Sequence, residues 1–118
     1  MSSRMQAIYN FFENMNEVVY VADMDTHELV YLNKKGLDAY GLQSLDDIRG
    51  RKCHDVLQHA GAPCTICTND ELRLGHFKEW EYHNPAIDRH FMLKDTMMLV
   101  DGRRYRIEIA IDMTLQEK

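Results

Sequence analysis

The chain has 118 residues, 45% of them hydrophobic and 28% charged, with a net charge of -5. That is enough for one hydrophobic core, and no stripe gathers its 14 Lys and Arg, which argues against a nucleic-acid partner. No apolar run approaches the roughly 18 residues of a membrane span and no signal core opens the chain, so a soluble, cytoplasmic segment with no membrane contact is expected; in a longer protein a membrane segment would lie outside it.

Ser3-Arg4-Met5-Gln6 has capping-box spacing, and Met5, Ile8, Phe12 and Met15 follow at helical intervals, which predicts an amphipathic helix over residues 1–15. Its apolar stripe must be covered by the sheet or by a second copy, so a homodimer is expected. Val18 to Ala22 and Leu29 to Leu32 are β-rich runs joined by turn formers from Asp23 to His27, a hairpin; neither run alternates strictly, which implies cover on both faces. Ser44 starts a short helix, Gly50 punctuates it, and Cys53, Val56 and Leu57 share one helical face. Thr68-Asn69-Asp70-Glu71 is a second capping box, predicting a helix that ends at Gly75.

From His76 the period becomes two. Trp80 and Tyr82 alternate with glutamates until Asn84-Pro85, a second run spans Phe91 to Val100, and Asp101-Gly102 turns the chain into a third. There Tyr105, Ile107, Ile109, Ile111 and Met113 alternate with Arg104, Arg106, Glu108 and Asp112, which predicts a strand with one core face and one wet face. The order is helix, two strands, short helices, three strands: an α+β domain with a five-stranded antiparallel sheet.

Cys53, Cys64 and Cys67 form the one cluster of distinctive chemistry. With one of His54, His59 or His76 they have the donor set of a tetrahedral zinc site. Cys64 and Cys67 alone could form a reversible disulfide, because a helix N-terminus stabilises a thiolate. Three reduced, partly buried thiols are the remaining reading. Thiol catalysis by Cys53 or Cys64 beside a histidine has the residue types but no orienting third group, so an enzyme is not expected.

Val-Val-Tyr-Val-Ala-Asp, Leu-Val-Tyr-Leu-Asn33, Lys35-Gly36-Leu37, Ile48-Arg49-Gly50 and the closing Ile109-Ala110-Ile111-Asp112-Met113-Thr114 together resemble a PAS domain over residues 16–114, such as those of bacterial diguanylate cyclases and sensor kinases. The resemblance implies a non-catalytic sensory module that binds a small ligand or dimerises and regulates an output domain in the same chain, as in two-component or cyclic-dinucleotide signalling. Residues 115–118 would begin the linker to that domain, with Asp112 and Thr114 transmitting the signal. The expected pocket lining is Tyr20, Ala22, Leu32, Tyr40, Cys53, Leu57, Leu72, Trp80, Phe91, Ile109 and Ile111, a largely apolar set with hydroxyl and indole groups. Gly50-Arg51-Lys52-Cys53 followed by Leu57-Gln58 resembles the flavin-adduct motif of light-sensing relatives, yet Lys52 stands where that motif has Asn, an extra residue precedes Leu57, and the last strand has no Gln. Flavin is therefore not expected; nor is haem, for which His54, His59 or His76 would be the ligand. The cofactor stays open, with zinc the best match to the cysteines.

Overall fold

The structure is a computed structural model and describes residues 3–58 and 72–113. Helix α1 runs Ser3–Phe12. Strands β1 (Val18–Asp23) and β2 (Leu29–Leu32) form the expected hairpin, and β3 (Lys78–Asn84), β4 (Arg89–Val100) and β5 (Arg103–Asp112) complete an antiparallel sheet in the order β2-β1-β5-β4-β3. Between the two groups of strands stand α2 (Lys34–Ala39), a 3₁₀ turn (Leu45–Ile48) and α3 (Cys53–Gln58).

Both sheet faces are covered, as the unbroken apolar runs of β1 and β2 required. Val18, Tyr20 and Ala22 of β1 point to an inner face roofed by Leu37 of α2, Ile48 of the 3₁₀ turn, and Val56 and Leu57 of α3. Val19 and Val21 point to an outer face, where Met5 and Tyr9 of α1 pack on Tyr31, Val100 and Ile107. Tyr9 stacks on Tyr31 with ring centroids 4.3 Å apart and planes 5° from parallel. The stripe of α1 is therefore covered by its own chain.

Local chemistry sets the turns. Asp23 Oδ1 accepts from the backbone N–H groups of Asp25 (2.8 Å) and Thr26 (3.1 Å), which closes the β1–β2 turn. Asp101 and Gly102 both have positive φ, 51° and 79°, the geometry of a two-residue hairpin whose twist suits the strands it joins.

Helix α2 has no periodic signature in the sequence. Asn33 caps α2, its Oδ1 accepting from Gly36 N at 3.0 Å, although Gly36 and the short span hide any helical period. The same oxygen accepts from Val19 N at 3.0 Å, while Nδ2 donates to Phe12 O (3.0 Å) and Glu17 O (2.9 Å). One buried amide thus joins the end of α1, the start of β1 and the start of α2.

Two expectations are corrected. Residues 72–75 are not the end of a helix: Leu74 bridges Met97 of β4, Gly75 turns at φ 75°, and His76 N donates to Arg73 O at 3.3 Å. The backbone there is recruited by β4 and not by a helical ladder; the Thr68 capping box lies outside the described residues. The polar face of β5 is wet only at its ends, at Arg104 and Asp112. Arg106 and Glu108 are 5% and 8% exposed, because that face is turned to the roofed side of the sheet and its charges find partners there.

Candidate functional site

The inner face brings together most of the expected lining. Tyr20, Ala22, Leu32, Leu57 and Phe91 are buried in one cluster, with Tyr40, Cys53 and Trp80 packed against it. Leu72 is buried but stands outside that cluster, in a cleft of about 270 Å³ with Arg73, His76, Phe77 and Lys78. Ile109 belongs to the α1 side, packed on the outer cluster, and Ile111 follows it by alternation along β5. The period of two holds along β5, with the opposite face turned inward from the one expected. Ala110, Glu108 and Arg106 take the inner positions, in register with Val18, Tyr20 and Ala22.

At the centre of this apolar face is a polar group that sequence reasoning missed. Arg106 Nη2 donates to Asp95 Oδ2 at 2.8 Å and to Glu108 Oε1 at 3.1 Å, and Arg106 Nε donates to the Tyr20 hydroxyl at 3.1 Å. Trp80 Nε1 donates to the same Asp95 oxygen at 2.6 Å. Asp95 and Glu108 are register partners across β4 and β5, so their carboxyl groups face each other. The signal in the sequence was Asp95 itself, standing in phase with Phe91 and Leu93 in an apolar run.

The electrostatics follow from burial. Glu108 is driven well above the usual carboxyl range, first by desolvation and then by a hydrogen bond to Asp95 and its charge; Arg106 opposes this without cancelling it. Burial and the neighbouring Asp95 thus favour the neutral form of Glu108. Desolvation likewise pushes the Tyr20 hydroxyl well up against the pull of Arg106, so it stays protonated. For Arg106, desolvation works against the charge, but Tyr20, Glu108 and Asp95 outweigh it and raise the guanidinium further.

Asn84 anchors the roof. Its Nδ2 donates to Leu57 O at 2.9 Å at the end of α3 and to the Tyr40 hydroxyl at 3.1 Å, while its Oδ1 accepts from Ala86 N at 2.9 Å. Read in the sequence as a strand breaker, it ties β3 to both α2 and α3.

Cys53 opens α3, and its N–H donates to His27 O at 2.7 Å. Cys64, Cys67, His59 and the side chain of His54 lie outside the described residues, as do Thr114 and the linker residues 115–118. Among the described residues no three His, Cys, Asp or Glu side chains surround a common point. No described helix is long and apolar enough to cross a membrane. Asp112 closes β5 and reaches Arg89 Nη1 through Oδ2 at 3.4 Å.

A family model described as PAS domain matches residues 3–77. No curated protein matches the chain. Among solved structures, the PAS domain of an HTR-like protein from Haloarcula marismortui is similar at a TM-score of 0.68 and 14% identity, covering 92% of this chain and 91% of that one. The PAS domain of nitrogen regulation protein NR(II) from Vibrio parahaemolyticus superposes at 0.66 with 13% identity over 95% and 99%. A Rhodobacter sphaeroides LOV protein reaches 0.69 at 20% identity, over 96% of this chain and 69% of that one. At these identities the likeness is one of fold.

Proposed function

We propose a function from one premise, that this chain belongs to the PAS domain family: it is a sensory signal-transduction module whose signal enters at the inner sheet face. The observation that supports this reading is the group formed by Tyr20, Trp80, Asp95, Arg106 and Glu108 in the middle of an apolar lining. A few placed polar groups in apolar surroundings are what orients a small organic ligand. The Tyr20 hydroxyl, kept protonated, offers a donor to a molecule that displaces part of this network.

The route outward is β5. Arg106 and Glu108 touch the site, and the same strand ends at Asp112, so a ligand that repacks the buried charges biases the end of the strand from which an output domain would be driven. Pairing with a second copy belongs to the same reading, through the side of α1 that faces away from the sheet, where Phe11 is 76% exposed. No catalytic step is assigned to these residues, whose polar groups are engaged with one another.

Native mass spectrometry of the purified protein, with absorbance from the near ultraviolet to the visible, tests the reading. A retained small molecule lost on replacing Tyr20 by Phe and Glu108 by Gln supports it. A ligand whose retention ignores both replacements places the signal elsewhere.

A further inference from the structure

His83 of β3 and His90 of β4 are register partners on the outer face of the sheet, at its β3 edge. Their rings stand 4.4 Å apart between centroids, tilted by 31°. On the turn that joins the two strands, Asp88 Oδ1 lies 2.8 Å from His83 Nε2. A carboxylate can only accept, so this contact places the proton on Nε2 and leaves the lone pair of His83 on Nδ1. His83, His90 and Asp88 thus share one patch at this end of the sheet. The patch is open: the side chains of His83 and Asp88 are 42% and 91% exposed.

We infer that His83 and His90 form a two-histidine site for a divalent transition metal of the zinc, nickel or copper class, with Asp88 orienting His83 from behind. Imidazole nitrogen is a preferred donor for these ions, and a ligating histidine commonly gives its other N–H to a carboxylate, as His83 does here. Two nitrogens each about 2.1 Å from one ion are roughly 3.0–3.4 Å apart, so binding would turn the two rings out of their present tilt to bring one nitrogen of each to the ion. Water would complete the coordination, consistent with the lack of a third converging side chain among the described residues. Occupancy would cross-link β3 to β4 where the end of β5 is held, since Met113 N donates to His90 O at 2.7 Å and Arg89 reaches Asp112.

The test is isothermal titration calorimetry of the 118-residue chain with Ni²⁺ and with Zn²⁺ at about pH 7.5, where imidazole is mostly neutral. His83→Gln and His90→Gln should each weaken binding by about tenfold or more, and Asp88→Asn by about tenfold. Replacing Cys64 and Cys67 by Ser should leave a binding event that the His83→Gln/His90→Gln double variant abolishes. Side-chain nitrogen spectra should show His83 Nδ1 shifting on Zn²⁺ addition. Unchanged affinity in the His83→Gln/His90→Gln double variant, binding removed by the cysteine replacements alone, or no binding of either ion would overturn the site.

Discussion

Arg106 and Asp95 meet at 2.8 Å across the β4–β5 pair, both almost completely withdrawn from water, with side chains 6% and 0% exposed. Taking such a pair out of water costs several kcal/mol per ion, which close geometry and further hydrogen bonds must offset. Trp80, Tyr20 and Glu108 supply those bonds. Removing one partner should therefore cost more than removing both. Arg106→Met or Asp95→Leu alone is expected to lower unfolding free energy by about 3–5 kcal/mol, while the double variant recovers much of it. Urea unfolding of the three variants reads this. Additive losses would mean that the pair is not coupled.

Glu108 gives the pH dependence. Its folded pKa is raised, so below the ordinary glutamate value of about 4.3 its burial costs nothing in charge. Stability is then lost as pH rises toward and through the folded value, because the acid must ionise beside Asp95 or the chain must open. Glu108→Gln removes that titration, and its advantage over the parent should grow with pH in urea midpoints taken from about pH 5 to 9. Asp23 works in the other direction. Burial alone would raise its carboxyl, but the hydrogen bond from Arg103 and those from the Asp25 and Thr26 amides hold it below the usual range, so its contribution is lost as pH falls through that lowered value. Parallel pH curves for Glu108→Gln and the parent would contradict the raised pKa of Glu108.

Asn33 fills all four of its side-chain hydrogen-bonding positions in a site with no exposure. Asn33→Ala removes a helix cap and strands the Val19 amide, so a loss of about 3 kcal/mol is expected. Asn33→Asp keeps the two accepted bonds and sets a carboxylate against two carbonyls, and should not rescue it. Thermal unfolding by circular dichroism distinguishes these outcomes.

Gly36→Ala should destabilise although alanine is the better helix former. A Cβ at that position would fall inside the van der Waals contact of the Leu32 side chain and 3.2 Å from Val18 Cγ1. The crowding is expected to cost about 1–3 kcal/mol, against a helix-propensity gain of about 1 kcal/mol. A more stable variant would show that α2 can lift from β1.

Hydrophobic period and turn chemistry made the sheet legible. The alternation from Trp80 onward, Asp101-Gly102 and the apolar runs of β1 and β2 each placed a strand, and the α1 stripe predicted cover for one face. Period alone cannot say which of two alternating faces is roofed. Tyr105, Ile107 and Ile109 looked like the inner side because the competing set was charged, and only the contacts of Arg106 with Asp95, Glu108 and Tyr20 make that charged set a buried one. The joining roles of Asn33 and Asn84 are hidden because a short polar residue beside a turn has the same local sequence whether it is solvated or joins three elements. The apolar part of the site is therefore visible from residue types, and the polar part depends on pairings that reach 86 positions along the chain.

The junction at Asp112 can be tested apart from the pocket. Arg89→Ala and Asp112→Ala remove a partly exposed contact, so each should change stability by no more than about 1 kcal/mol. In a chain that carries its output domain, both are expected to uncouple output from ligand while ligand affinity stays near the parent value. Output that still follows the ligand in both variants would remove β5's end from the signalling route.

Trp80 is the chain's single tryptophan, and its indole N–H sits on Asp95, so intrinsic fluorescence reports directly on the inner face. The most direct measurement compares the Trp80 emission of natively purified protein with that of protein unfolded, stripped of small molecules and refolded. The account predicts a shifted emission on stripping that returns when the released small-molecule fraction is added back, and no shift in Tyr20→Phe/Glu108→Gln protein. Identical emission before and after stripping, with native mass equal to that of the polypeptide, would contradict a ligand at this face.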